Sequence, residues 1–286
     1  MFRKGLILIV LVAMCLAFMP VQSQASKGTV KMSYVEWSCA TASTNVAAAI
    51  IEEKLDYDVD TMAVSAAAMW QAVASGDVDA MITAWLPVTH KPYYDKLKDD
   101  VVNLGQLTTG AKIGLVVPDY VTIDSIEEMK DNADKFDSKI IGIDPGAGIM
   151  MKTEEAIDEY DLEGFNLVEG SGATMTAALK DAIRQEEWVA VTGWSPHWKF
   201  GRWDLKYLKD PKGVYGGAED IDKIVRKGLK EDKPEVYDFL KRMQWDLDTM
   251  QEVMAWNQEE GADPLENGKR FMKENPELVN KWLGKE

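Results

Sequence analysis

Hydrophobic positions along this chain come in short dense runs that alternate with stretches of helical spacing. From Val30 onward the pattern predicts a strand over 30–37, an alanine-rich helix over 42–55, a strand over 58–64, a helix over 66–75 and a strand over 78–85. After Gly110 it restarts with the apolar run Ile113-Gly114-Leu115-Val116-Val117, closed by Pro118. A helix over 124–134, a strand over 139–143, a helix over 147–160, a strand over 166–169, a helix over 174–186 and a strand over 188–194 follow. Beyond a Gly/Pro-rich connection at 211–217 the chain reads as helices only. There, Asp263-Pro264 and Asn275-Pro276 each set a capping residue before a proline at the first helical position. Strand and helix in strict alternation imply an α/β fold built on parallel strands.

An internal repeat sharpens that picture. Thr83-Ala84-Trp85-Leu86-Pro87 recurs 109 residues later as Thr192-Gly193-Trp194-Ser195-Pro196, each time after a helix and a short strand. At nearly the same offset, the first strand with its loop and helix matches strand 139–144 with its own. Two segments agreeing in order and spacing imply two similar α/β lobes. Ligands of open parallel sheets sit beyond the carboxyl ends of the strands, so two facing lobes place the site in the cleft between them.

The first 25 residues are of another kind. Arg3 and Lys4 precede an apolar run of 14 residues from Gly5 to Phe18, then Ser23-Gln24-Ala25, which reads as a secretory signal peptide rather than a membrane span. Cys15 is a poor lipidation site, because bulky Met14 precedes it and the apolar run continues past it. The exported chain is expected in the periplasm as a monomer, with Cys39 its one remaining thiol and hence no internal disulfide. The whole chain of 286 residues is 46% hydrophobic and 28% charged, an ordinary globular composition. Its 32 basic against 48 acidic residues give a net charge of -16, and loss of Arg3 and Lys4 makes it -18, which argues against nucleic acid as a partner. Two histidines and two cysteines are too few for most metal centres, and no metal or cofactor is expected. No P-loop, Gly-x-Ser-x-Gly elbow, dinucleotide fingerprint or His-Glu-x-x-His occurs, so no enzymatic activity is expected either.

The strand ends carry the candidate chemistry. Trp37, Trp85 and Trp194 close strands at the open edges of the two lobes, whereas Trp70, Trp188, Trp198, Trp203, Trp245, Trp256 and Trp282 read as packing residues. Indole faces converging in a cleft suit a quaternary ammonium, which has no hydrogen to donate and is held by π-faces; neutral sugars, which also stack on tryptophan, are the rival. The loop Asp144-Pro145-Gly146-Ala147-Gly148 leads into a helix whose first N–H groups, those of Gly148 and Ile149, are free for an anion. His90, just past Trp85, is placed to donate to the same anion, and His197 is read as structural. A cage facing an anion site suits a zwitterion with a trimethylammonium at one end and a carboxylate at the other.

Four motifs in register resemble the glycine betaine/proline betaine substrate-binding proteins of ABC importers. These are Tyr34-Val35-Glu36-Trp37 with Ala42-Ser43-Thr44-Asn45, Ala84 to His90, Gly142 to Met150, and Thr192 to Trp198. The resemblance implies a two-lobed periplasmic-binding-protein fold with the ligand cleft between the lobes. It assigns 26–112 to the first lobe, with 212–286 returning to it, and 113–211 to the second. It also implies an aromatic cage of Trp37, Trp85 and Trp194, a carboxylate held by Gly148, Ile149 and His90, and delivery to an inner-membrane ABC permease. Ser38-Cys39-Ala40 departs from the acidic residues expected after the first cage tryptophan. Choline, carnitine, proline betaine and dimethylsulfoniopropionate therefore stand beside glycine betaine as ligands, the carboxylate site arguing against choline. A ligand-sensing domain for a membrane signalling partner is the other reading of the same cleft.

Overall fold

The computed structural model describes residues 26–285. The signal-peptide and Cys15 readings lie outside the described residues. Among those residues no helix is long and apolar enough to cross a membrane.

The first half is built from strands β1 (Thr29–Tyr34), β2 (Asp58–Ala63) and β3 (Ala80–Leu86) with helices α1 (Ser38–Ile50) and α2 (Ala66–Ser75) between them. β1 pairs in parallel with both β2 and β3. The second half repeats the unit: β5 (Lys139–Ile141) pairs in parallel with β6 (Asn166–Val168) and β7 (Ala190–Ser195), with α4 (Gly148–Glu159) and α5 (Gly172–Gln185) between them. Between the halves runs α3 (Lys91–Leu97) and then β4 (Val101–Pro118), 18 residues long. The sheet order is β2-β1-β3-β9-β4-β7-β5-β6, with the short β8 (Leu205–Tyr207) against the end of β4.

β4 explains how two sheets become one body. Its part up to Ala111 pairs antiparallel with β9 (Glu219–Arg226), through three shifts of register, and the part from Lys112 pairs antiparallel with β7. Such irregularities bend and twist a strand, so one continuous strand serves two sheets of different orientation.

The alternation expected from the sequence holds for both repeats, but four local readings do not. Segment 212–286 is not all helical: β9 lies between β3 and β4 in the interior. Its charged residues disguise it, and each finds a partner there. Asn103 donates to Asp222 at 2.7 Å, Gln106 to Asp220 at 2.8 Å, Arg226 to Asp79 at 2.8 Å, and Lys223 to the Met243 carbonyl at 2.6 Å. The sheet is consequently mixed rather than parallel. The predicted helix 124–134 is a 3₁₀ segment, Ile126–Phe136, kinked at Asn132. Trp37 does not close β1; it occupies the N-cap position of α1, which starts four residues earlier than expected. Asp263 caps its helix by accepting from the N–H groups of Leu265 and Glu266, whereas the Asn275 side chain donates backwards to the Phe271 carbonyl and caps nothing.

The remaining helices are α6 (Lys199–Arg202), α7 (Leu229–Asp232), α8 (Pro234–Arg242), α9 (Leu247–Trp256), α10 (Pro264–Glu274) and α11 (Pro276–Leu283). α9 and α10 pack on the alanine-rich α1. A Cβ on Gly268 would lie 2.5 Å from the Asn45 carbonyl oxygen, so the approach of α10 to α1 requires glycine there. Trp245, Phe271 and Trp282 fill the space beneath, the last two rings stacked 5.8 Å apart.

Candidate ligand-binding site

Trp85 and Trp194 occupy equivalent places in the repeat, each next to last in its strand, β3 and β7. Trp37 arrives from the turn after β1, and Gly148 and Ile149 from the first turn of α4. All five, with His90, line one cavity. Its other walls are Cys39, Thr89, Ile113, Ile143 and Ala147. The six residues picked from the sequence are thus brought together, and the three indoles are covered rather than left wet: Trp37 is 6% exposed, Trp85 3% and Trp194 4%.

His90 is fully buried against Trp37, Trp70 and Tyr93, with ring centroids 5.6, 6.0 and 6.2 Å away. Its Nδ1 accepts the Trp85 backbone N–H at 3.1 Å, which leaves the proton on Nε2. That Nε2 has no partner among the described residues. Burial pushes the imidazole down to about 3, so it stays neutral across the physiological range and presents a single N–H donor. At the other side of the cavity, α4 has Ala147 at its N-cap position, and that residue's carbonyl accepts from Met150 and Met151. Among the described residues the Gly148 and Ile149 N–H groups make no backbone hydrogen bond, as the first two donors of a helix do not. Three unsatisfied donors therefore surround one apolar, aromatic-walled space.

The loop carrying His90 is held from β9. Glu219, 1% exposed, accepts from the N–H groups of Val88 and Thr89, both at 2.8 Å, and from the Thr89 hydroxyl. Nothing local in the sequence announces this residue, which lies 130 positions from Thr89.

Two hydrogen bonds join the elements of the first repeat to the loop of the second. The Trp37 indole N–H donates to Asp144 Oδ1 at 3.0 Å, and the Tyr93 hydroxyl donates to the Gly146 carbonyl at 2.7 Å. Between them the backbones nearly touch: a Cβ on Gly148 would fall 2.1 Å from the Thr89 carbonyl oxygen. These contacts hold the two elements together at the edge of the cavity.

His197, read as structural, is buried outside this cavity lining, edge-on to Trp194 with centroids 4.7 Å apart, and its Nδ1 accepts the Lys199 N–H. Trp70, read as packing, is indeed buried but also forms the wall behind His90. Cys39 was marked in the sequence only as a departure in Ser38-Cys39-Ala40; it lies in the cavity wall, its thiol pushed up to about 12 by burial.

Residues 28–274 match the model of the substrate-binding domain of ABC-type glycine betaine transport systems. The chain belongs to that family. It is similar to the glycine betaine/carnitine transport binding protein GbuC of Listeria monocytogenes, 46% identical over 163 residues, which are 56% of this chain and 54% of that protein. The alignment thus spans about half the length of that relative. Among solved structures it resembles lactococcal OpuAC in its closed, glycine betaine-bound form, with 42% identity and a TM-score of 0.85 over 90% of this chain and 100% of that one. It also resembles the glycine betaine/L-proline-binding protein ProX of Borrelia burgdorferi, with 39% identity and a TM-score of 0.86 over 89% and 96% of the two chains. These are two-lobed periplasmic binding proteins, and the fold of this chain is of that kind.

Proposed function

We propose that this chain binds a small zwitterion with a quaternary ammonium and a carboxylate, glycine betaine or a close relative, and delivers it to an ABC permease. One observation carries the reading: three indoles and three free N–H donors line a single cavity at the junction of two repeats. Trp37, Trp85 and Trp194 would take the onium group, which no hydrogen-bond acceptor can hold. His90 Nε2–H and the N–H groups of Gly148 and Ile149 would take the carboxylate. A neutral sugar would satisfy the indoles but has no negative charge for the end of α4, and choline, whose one hydroxyl accepts from at most two donors and carries no charge, would leave at least one donor buried and unpaired, at about 1–3 kcal/mol.

The magnitudes suffice. Three cation–π contacts at about 1–2 kcal/mol and two or three charge-assisted hydrogen bonds at about 1.5–3 kcal/mol, less the cost of ordering the ligand and closing the cleft, correspond to micromolar affinity. The likeness to a closed, glycine betaine-bound relative supports a closed form stabilised by ligand bridging 26–112 to 113–211, with 212–286 belonging to the first lobe. Under this reading residues 1–25 are removed on export, the receptor works as a periplasmic monomer, and it catalyses nothing.

Titration calorimetry with glycine betaine, proline betaine, carnitine, choline and glucose tests the proposal. Glycine betaine or proline betaine should bind at micromolar level and choline at least tenfold more weakly. Absence of heat with every methylated onium compound would overturn it, and binding of glucose alone would turn the reading to sugars.

A further inference from the structure

One wall of the cage is backed by a cation. Helix α6 carries Lys199 into the interior, where it is 0% exposed, and sets its Nζ 4.5 Å from the centroid of the Trp194 ring and 5.2 Å from that of Phe200. That Nζ has no hydrogen-bond partner among the described residues, and neither does the Trp194 indole N–H. A buried amine with three donors and no acceptor is costly, so its position on the ring calls for a reason beyond packing.

No anion faces it. From α1 the neighbour is Cys39, whose thiol burial keeps protonated, and from the turn before α6 it is His197, whose imidazole is held well below its ordinary range by burial and by Lys199 itself. The other charged residue of α6, Arg202, lies over Trp203 instead. Trp194 is shared: it lines the ligand cavity, and Lys199 lies against it without joining that lining. The contrast with Trp37 is chemical, since the Trp37 indole N–H rests on the Asp144 carboxylate, which enriches its ring, while the Trp194 ring already serves a cation.

We propose that Lys199 is a specificity-determining residue of the cage: its amine competes with a bound onium group for the Trp194 indole and so sets how tightly the site holds a cation. The inference rests on the function proposed above. Burial lowers Lys199 to about 7, so near neutral pH the amine exists in both forms. When it is protonated, one indole serves two positive charges; when it is neutral, the ring belongs to the ligand. Binding therefore favours the neutral amine. Affinity rises as pH increases through about 7, and below that pH binding expels a proton. His90, at about 3, and Cys39, at about 12, do not titrate in this window.

The test is calorimetric titration of the exported protein with glycine betaine at pH 6.0 and 8.5, in pairs of buffers of different ionisation enthalpy, for wild type and Lys199→Met. Wild-type affinity should rise about tenfold between the two pH values, the scale of like charges sharing one partly dehydrated partner. At pH 6.0 its binding heat should depend on the buffer through the released proton. Lys199→Met should bind at least as tightly as wild type at pH 8.5 and show neither dependence. Wild-type binding that is equally tight at both pH values with buffer-independent heat overturns the proposal, as does a tenfold pH dependence that survives in Lys199→Met. No heat at any pH in either protein overturns the cage itself, and this inference with it, a result distinct from pH-independent binding.

Discussion

A tight approach between the two repeats falls at a residue where one carbon is decisive. Gly148 is helical, so alanine there is locally favourable by about 0.5–1 kcal/mol, and in the open protein the substitution should be neutral or stabilising. In the closed form its Cβ would lie 2.1 Å from the Thr89 carbonyl oxygen, 2.7 Å from the carbonyl carbon and 2.6 Å from Cγ2. Two of these atoms are backbone, and Glu219 fixes that backbone from behind. The lobes must then part by roughly 1 Å to reach ordinary contact. At that separation the Trp37–Asp144 bond, now 3.0 Å, and the Tyr93–Gly146 bond, now 2.7 Å, both stretch out of hydrogen-bond range. The Gly148 and Ile149 N–H groups recede from Trp37 and Trp85 by the same amount, as Trp194 does from His90. Losing one charge-assisted and one neutral bond, with weakened contacts to the ligand, should cost about 3 kcal/mol, or more than 100-fold in affinity. Intrinsic tryptophan fluorescence titration with glycine betaine measures the affinity, and thermal unfolding without ligand measures the fold. Wild-type affinity in Gly148→Ala would refute both the close approach and the assignment of this helix end to the site.

Asp144→Ala removes the acceptor for the Trp37 indole in the closed form only, and should weaken ligand affinity about tenfold while leaving the ligand-free melting temperature unchanged; an unchanged dissociation constant would show that the bond does not contribute to closure. Glu219→Ala leaves the half-buried Val88 donor and the buried Thr89 donors without an acceptor and should lower unfolding stability by about 2–3 kcal/mol in urea titration. Lys199→Met should stabilise the fold, and the sign follows from the amine being depressed from 10.5 to about 7 by burial. Between those values the unfolded chain binds the extra proton, so the penalty of burying Lys199 is full below pH 7, on the order of 5 kcal/mol, and fades toward pH 10.5. The advantage of Lys199→Met over wild type in unfolding free energy should therefore shrink by about 3 kcal/mol between pH 6.5 and 9.5; an advantage that does not change with pH contradicts a charged Lys199 in the unfolded chain and a depressed one in the fold.

What was legible in the sequence was local or repeated. The β-α-β units announced themselves by hydrophobic spacing, and the recurrence of Thr83-Ala84-Trp85 as Thr192-Gly193-Trp194 identified the two indoles that sit next to last in β3 and β7. Gly148 and Ile149 followed from the rule that a helix begins with unpaired donors. What stayed hidden depended on partners far along the chain. β9 looks too charged for an interior strand until Asn103, Gln106, Asp79 and the Met243 carbonyl are seen beside it. Glu219 and Asp144 owe their roles to groups more than 100 positions away. Lys199, the counterpart of His90 at the 109-residue offset, carries no signal of burial in its neighbourhood.

That counterpart relation suggests how one repeated unit came to make two unlike walls. In the first unit the residue five beyond the strand tryptophan is His90, which turns its Nδ1 onto the Trp85 backbone and offers an uncharged donor to the cavity. In the second it is Lys199, whose own backbone N–H is taken by His197 Nδ1 and whose amine turns back onto the Trp194 ring. An imidazole held neutral by burial can face a carboxylate without bringing a second charge close to the onium group. A lysine in that place would bring one, whereas on the Trp194 ring and outside the cavity lining it would act on a ligand only through that ring. Both histidines commit Nδ1 to a backbone N–H and keep Nε2 free, so the difference between a donor in the cavity and an amine on the Trp194 ring lies in which residue, His90 or Lys199, stands five positions beyond the strand tryptophan.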